Sequence, residues 1–213
     1  MQNADEKVEK NKTVKKRGRP RLDGNNKEHV EKRNEIIETA AKVFREYGYD
    51  AGTIKDVAEV LDVTTANVYY YIKSKEELLY EIILRSLNLG LKKLDEIEKS
   101  LDSGERLKKL MEVHVKLIID ERNMFTVLFD SKDRLDTEHY SIIREKENQY
   151  LNYFRRAIKN AIDDQLIPPI SIDNGLHAIM GMCNWVYKWH KKDRDPSYKE
   201  LADDWFRLIS QRK

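Results

Sequence analysis

Apolar residues recur at helical intervals along most of the chain. Ile37, Ala40, Ala41, Phe44 and Tyr47 fall at i, i+3, i+4, i+7 and i+10, one face of a helix, and Gly48 is placed to stop it. A second stripe, Ile54, Val57, Ala58 and Leu61, follows Thr53, which forms a capping box with Asp56 and so marks a helix start. A short third helix is predicted from Thr64 to Ile72, with Val68 and Ile72 inward. Ser74 and Glu77 make another capping box. After it Leu79, Ile82, Ile83, Leu87, Gly90, Leu91, Leu94, Ile97 and Leu101 keep helical spacing for about seven turns, until Asp102-Ser103-Gly104 is expected to break the helix. Further helices are expected over about 105–121, 123–131, 137–165, 172–192 and 197–211, punctuated by Asn123, Asp136, Pro168-Pro169 and Asp195-Pro196. No strand alternation and no internal repeat interrupts the pattern. The expected fold is all-α, a three-helix head followed by a helical body.

Composition agrees with this reading. Charged residues make up 37% of the 213 positions, against roughly 25% in ordinary domains, as expected for long solvated helix faces. Eight Gly and four Pro are too few for a turn-rich β fold. A single cysteine, Cys183, excludes a disulfide framework within the chain and a cysteine-based zinc module, and is read as a small buried apolar residue. No apolar run approaches the roughly 18 residues of a membrane span, and the polar N-terminus lacks a signal-peptide core. A cytoplasmic protein without a membrane partner is expected.

Charge matters through its distribution. The net charge is +2, but Lys10, Lys12, Lys15, Lys16, Arg17, Arg19 and Arg21 lie together with no acid among them, leaving the rest of the chain acidic on balance. Residues 1–27 hold few apolar side chains and are expected to form a disordered basic arm. Within it, Arg17-Gly18-Arg19-Pro20-Arg21 suits the narrow, electronegative minor groove of A·T-rich DNA, or phosphates alone.

Two helices joined by a short turn, with a third in support, describe a helix-turn-helix over residues 28–73. From Val63 to Lys75 there is no acidic residue. Thr64 caps a helix whose positive end is not neutralised. The outward arc carries Thr65, Ala66, Asn67, Tyr69 and Tyr70, groups that can approach base edges or donate to phosphate oxygens. At least one of Tyr69, Tyr70 and Tyr71 is expected to pack inward.

The stretch Ile36 to Leu79, with Thr-Ile-Lys-Asp-Val-Ala at 53–58, Val-Thr-Thr-Ala-Asn-Val-Tyr-Tyr-Tyr at 63–71 and Lys-Ser-Lys-Glu-Glu-Leu-Leu at 73–79, closely resembles the TetR (tetracycline repressor) family. The resemblance implies a homodimer whose third helix enters the major groove, with effector-binding helices behind it in residues 74–213. It implies that Lys55 contacts a base or phosphate, that Thr65, Ala66 and Asn67 read bases, that Tyr69, Tyr70 and Tyr71 touch the DNA backbone, and that Lys75 binds a phosphate. Asp62 stands where the family usually has a turn glycine, Tyr71 where histidine is common and Ile72 where phenylalanine is common.

Outside the head, the segment Ala178 to His190 is the most unusual. Ala178, Gly181 or Met182, Trp185 and Trp189 share one stripe, and Met180, Asn184 and Tyr187 another, so a helix buried on both faces is expected. One face would meet a partner helix and the other a pocket lined by Asn184, Trp185 or Trp189. The order Gly-Met-Cys-Asn-Trp-Val-Tyr-Lys-Trp also resembles the final helices of family members that sense fatty acyl-CoA or steroid-derived CoA thioesters. That resemblance makes Arg144, Arg155 and Arg156 candidates for CoA phosphates.

No G-x-S-x-G elbow, P-loop or H-E-x-x-H occurs, and the five histidines are scattered, so an enzyme is disfavoured. No cofactor or metal is expected. The expected function is a ligand-responsive repressor that binds a palindromic operator as a dimer through the last two helices and is released by an acyl-CoA-like or similar lipidic effector. The alternative is a DNA-bound scaffold of the same fold that recruits a protein partner without an inducer.

Overall fold

Helix α1 (Lys27–Tyr47) buries Ile36, Ile37, Ala40, Ala41, Val43 and Phe44, but Tyr47, expected on the same face, lies at the helix end and is 57% exposed. It ends at Gly48, whose φ of +80° is natural only to glycine. The structure, a computed structural model, describes residues 27–97 and 101–211. Helix α2 (Ile54–Val60) opens on the expected capping box. Its Asp56 N–H donates to Thr53 Oγ1 at 3.2 Å, and the Thr53 N–H donates to the Asp56 carboxylate at 2.7 Å. The Thr53 hydroxyl also donates to that carboxylate at 2.7 Å, and this bond together with the one from the Thr53 N–H holds the Asp56 carboxyl below its usual pKa. Asp62 adopts φ +52°, so the turn into the next helix uses the left-handed backbone that glycine would supply. Helix α3 (Thr65–Tyr71) buries Val68, and Ile72 is buried just beyond its end.

Helix α4 (Lys75–Asp95) starts where Ser74 Oγ accepts the Glu77 N–H at 3.0 Å. It packs on α1 near its start and on the body helices further along, so the buried apolar cluster runs unbroken from Ile36 to Ala202. Arg33 of α1 fixes this junction by donating to Glu77 at 3.1 Å and Glu81 at 2.9 Å. Behind α4 come α5 (Ser103–Asp120), α6 (Arg122–Ser131), a short 3-10 turn, α7 (Thr137–Asp163), α8 (Ile172–Asn184), α9 (Val186–Trp189) and α10 (Tyr198–Ile209). Helix α5 is central, with α7, α8 and α10 laid against it. No strand occurs among the described residues.

The structure corrects the expected helix boundaries in two places. The long fourth helix stops at Asp95, because Glu96 and Ile97 tighten into turns bonded to Lys92 and Leu94 carbonyls. Asp102 then starts α5 rather than breaking α4, since its carboxylate accepts the Glu105 N–H at 2.8 Å. The helix expected over 172–192 is interrupted at Trp185 and ends at Trp189. There Arg122 of α6 donates to the Tyr187 carbonyl at 3.0 Å and the His190 carbonyl at 2.8 Å, taking acceptors that a continuing helix would have used. Buried His190 turns its Nε2 to the Pro196 carbonyl at 2.9 Å, which fixes the loop that follows.

One close approach has a measurable consequence. A Cβ on Gly90 of α4 would lie 2.6 Å from Tyr150 Cε2, and that ring is itself buried. Gly90→Ala should therefore destabilise the protein by about 1–3 kcal/mol through overpacking, despite alanine's better helix propensity. Urea titration would read this, and an unchanged midpoint would refute the close packing of α4 on α7.

Candidate functional site

Two regions present chemistry. The first is α3 and its flanks. Thr64 caps the helix by accepting the Asn67 N–H at 3.2 Å, and no acid stands in its first turn. Thr64, Thr65, Ala66 and Asn67 are all exposed. Tyr69 and Tyr70 point outward with 53% and 49% exposure, while Tyr71 is half-buried against His29 of α1 with ring centroids 4.8 Å apart. Tyr71 is thus the inward member of the three, for which the sequence left the choice open. Tyr70 also lies edge-on to His29 at 6.0 Å, so α1 steadies both rings.

Lys55 stands exposed on α2 with its ammonium 3.4 Å from Glu59. Lys75 is turned onto the α1–α2 connection, where Nζ donates to the Asp50 carbonyl at 3.2 Å and sits 4.4 Å from the Tyr49 ring centre. The structure therefore brings Lys75 beside the head's own backbone, and Thr64 to Tyr70 onto one open surface. Arg17, Arg19 and Arg21 lie outside the described residues.

The second region is an open cavity of about 240 Å³ lying between α4, α5, α6, α7 and α8. Leu87, Phe125, Leu128, Phe129, Leu151, Leu176 and Met180 give it apolar walls. At its inner end His114 bonds through Nδ1 to the Tyr150 hydroxyl at 2.7 Å and through Nε2 to Asn184 Oδ1 at 2.8 Å. Burial lowers the His114 pKa to about 4, so the ring is neutral. Burial likewise pushes the Tyr150 phenol upward. At the rim Lys132 is paired with Glu147 at 2.8 Å, and Arg155 with Asp173 at 3.3 Å. A larger hollow of about 820 Å³ runs along α5 beside the end of α4. Most of its charges are already matched, as in Lys93–Glu96, Lys108–Glu105 and Lys116–Asp120.

Of the residues expected to line a pocket, Asn184 does so, and Arg155 stands at the rim. Trp185 and Trp189 do not. The stripe expected to be buried on both faces instead leaves Ala178, Gly181 and Trp185 open in the single chain, with Trp185 60% exposed and nothing within 4 Å of a Cβ on Gly181. The break at Trp185 carries Trp189 away from the cavity as well, where it is 37% exposed beside His190. Arg144 is exposed on α7 and outside the cavity, and Arg156 lies over the Tyr153 ring. Cys183 is fully buried and its thiol is pushed up to about 12, which leaves it protonated.

Sequence reasoning missed His114 and Tyr150 as a unit. They lie 36 residues apart on different helices, and the only hint was a histidine on the apolar face of α5.

Comparison with known proteins adds an independent line. Residues 36–82 match the family model described as bacterial regulatory proteins, tetR family, and residues 100–212 match that described as tetracyclin repressor-like, C-terminal domain. The HTH-type transcriptional repressor KstR2 of Mycobacterium tuberculosis (strain ATCC 25618 / H37Rv) is 20% identical over 181 residues, covering 84% of this chain and 90% of the relative. The TetR family transcriptional regulator PfmR from Thermus thermophilus has a similar structure, with a TM-score of 0.75 and 26% identity over 82% of this chain and 96% of that one. AibR in complex with isovaleryl coenzyme A and operator DNA is similar at a TM-score of 0.75 and 24% identity, over 83% of this chain and 97% of that one. The head matches one family model and more than half of the chain matches the other; this protein belongs to the TetR family of bacterial transcriptional regulators.

Proposed function

We propose that this protein is a ligand-responsive repressor that binds a palindromic operator as a homodimer. The observation that carries the reading is the exposed surface of α3, free of carboxylates and bearing Tyr69 and Tyr70. Two such helices would enter successive major grooves about 34–36 Å apart or somewhat more. Thr65, Ala66 and Asn67 would face bases, with Thr64, Tyr69, Tyr70, Lys55 and Lys75 toward the backbone. Lys75 uses one donor on the Asp50 carbonyl and keeps two for a phosphate. The basic arm with Arg17, Arg19 and Arg21 would add phosphate or minor-groove contacts.

Dimerisation through residues 172–211, the segment expected as the last two helices, is supported by apolar side chains that a single chain leaves open, Trp185 at 60% and Leu208 at 77% exposure. A small effector, acyl-CoA-like in class, would occupy the 240 Å³ cavity. That KstR2 is named a repressor, and that AibR was crystallised with isovaleryl coenzyme A and operator DNA, supports both halves of the proposal. Because α4 carries the head and walls the cavity, a ligand that binds one α4 position better than the other changes the head spacing and hence DNA affinity. A DNA-bound scaffold without an inducer has no use for such a cavity, which favours the effector reading.

Footprinting of a selected operator tests this. Tyr70→Ala should weaken binding by about ten- to a hundredfold, the worth of a hydrogen bond to a charged group, with an unchanged melting temperature because the ring is half exposed. Removing residues 1–26 should flatten the dependence of affinity on salt, because fewer phosphates are neutralised. Wild-type footprints from Tyr69→Ala and Tyr70→Ala alike would take α3 out of the groove.

A further inference from the structure

The inner end of the cavity has a fixed hydrogen-bond polarity. An amide oxygen can only accept, so the His114 Nε2 that faces Asn184 Oδ1 at 2.8 Å carries the ring proton. Nδ1 is then a lone pair, and the Tyr150 hydroxyl 2.7 Å away must donate to it. A neutral ring has no second proton to offer. The Asn184 oxygen and the Tyr150 hydrogen are thereby both used. Ser86, fully buried, spends its hydrogen on the Ile83 carbonyl at 2.8 Å. The half-buried Asn184 side chain keeps an amide N–H₂ with no hydrogen-bond partner among the described residues, on a side chain that lines the cavity.

Neither the lysine nor the arginine at the rim is free to accompany that donor, and the third basic side chain lining the cavity among the described residues, His177, is exposed. Lys132 is held by both Glu147 oxygens at 2.8 and 3.0 Å, and Arg155 by Asp173 and Asn152 at 3.3 and 3.0 Å. A carboxylate at the inner end would lose its hydration without meeting a positive charge, whereas a neutral carbonyl needs one donor. The space of 240 Å³ falls below the roughly 300–1,000 Å³ of sites for drug-sized ligands, so the apolar part of the ligand must be small.

We infer that the Asn184 amide nitrogen donates to the carbonyl oxygen of a short, uncharged acyl group (a thioester, ester or amide) lodged between Phe125, Leu128, Leu151 and Leu176, with His114 and Tyr150 holding the amide in that orientation. This rests on the effector reading above and narrows it from lipidic thioesters in general to short-chain acyl compounds.

Calorimetry on the full-length protein tests the inference with butyryl-coenzyme A, palmitoyl-coenzyme A, free coenzyme A and sodium butyrate. Wild type should bind butyryl-coenzyme A at least about tenfold more tightly than the other three. Asn184→Asp keeps an acceptor for His114 but replaces the donor with a second acceptor, and Asn184→Leu removes both. Each should cost about tenfold or more in butyryl-coenzyme A affinity, the effect of losing a hydrogen bond that leaves a buried carbonyl unpaired. Melting curves verify that both variants fold. Equal affinity in wild type and both variants overturns the role of Asn184, and equal affinity for palmitoyl-coenzyme A overturns the short chain. If wild type binds none of the probes yet footprints its operator, this inference fails and the DNA reading stands. Asn184-dependent binding without any operator binding has the opposite meaning.

Discussion

Replacing Ala66 with Glu is expected to lower operator affinity by at least about a hundredfold while leaving the melting temperature equal or slightly raised. Ala66 is exposed in the first turn of α3, a turn without an acidic residue. A carboxylate in the first turn of a helix stabilises it by roughly 0.3–1 kcal/mol through the backbone dipole. Against duplex DNA, which carries about one negative charge per 1.7 Å, the same carboxylate is a like charge at close range and costs several kcal/mol. Stability and function should therefore move in opposite directions, an outcome that general unfolding cannot imitate. Fluorescence anisotropy with an operator duplex and a thermal melt of the same sample read both. Ala66→Lys is the control for shape, since it adds bulk without repulsion and should retain binding to DNA of any sequence. Tight operator binding by Ala66→Glu would show that α3 does not face the groove.

The second large effect is on stability. His114 is fully buried with a pKa near 4, against an ordinary 6.5. Between those values the unfolded chain takes up a proton that the folded chain refuses, so this residue makes stability fall as pH falls. Its contribution is complete above about pH 6.5 and is lost progressively down to about pH 4. The linkage amounts to about 2 kcal/mol between pH 7 and pH 5. His114→Gln keeps a donor and an acceptor but cannot take up a proton in this range. Urea titrations at the two pH values should therefore show a loss about 2 kcal/mol smaller in the variant than in wild type. Carboxylates elsewhere titrate alike in both proteins and cancel in the comparison. Equal losses would mean that His114 is not held neutral in the folded state, and the hydrogen-bond polarity assigned to Asn184 would fall with it.

The chain's local chemistry determined much of this by itself. Thr53 with Asp56 and Ser74 with Glu77 mark helix starts because a side-chain oxygen three residues upstream satisfies an orphan N–H, whatever lies around it. Asp62 could be read as a left-handed turn residue because that tolerance belongs to the residue type. The open surface of α3 was legible for a similar reason, as seven residues with Val68 and Tyr71 turned inward leave few places for the others to go. Contacts between distant segments were not legible. Periodicity shows that a helix has an apolar face but not whether that face meets a core, a second chain or a cavity. Only the packed structure turned Ala178, Gly181 and Trp185 outward while turning Asn184 in. It also ended α9 with an arginine 65 and 68 residues upstream of the carbonyls it binds. The three residues of the inner site come from α5, α7 and α8, with His114 lying 36 residues from Tyr150 and 70 from Asn184. No local pattern could relate them, because what selects their protonation states and donors is burial, and burial exists only once the helices have packed.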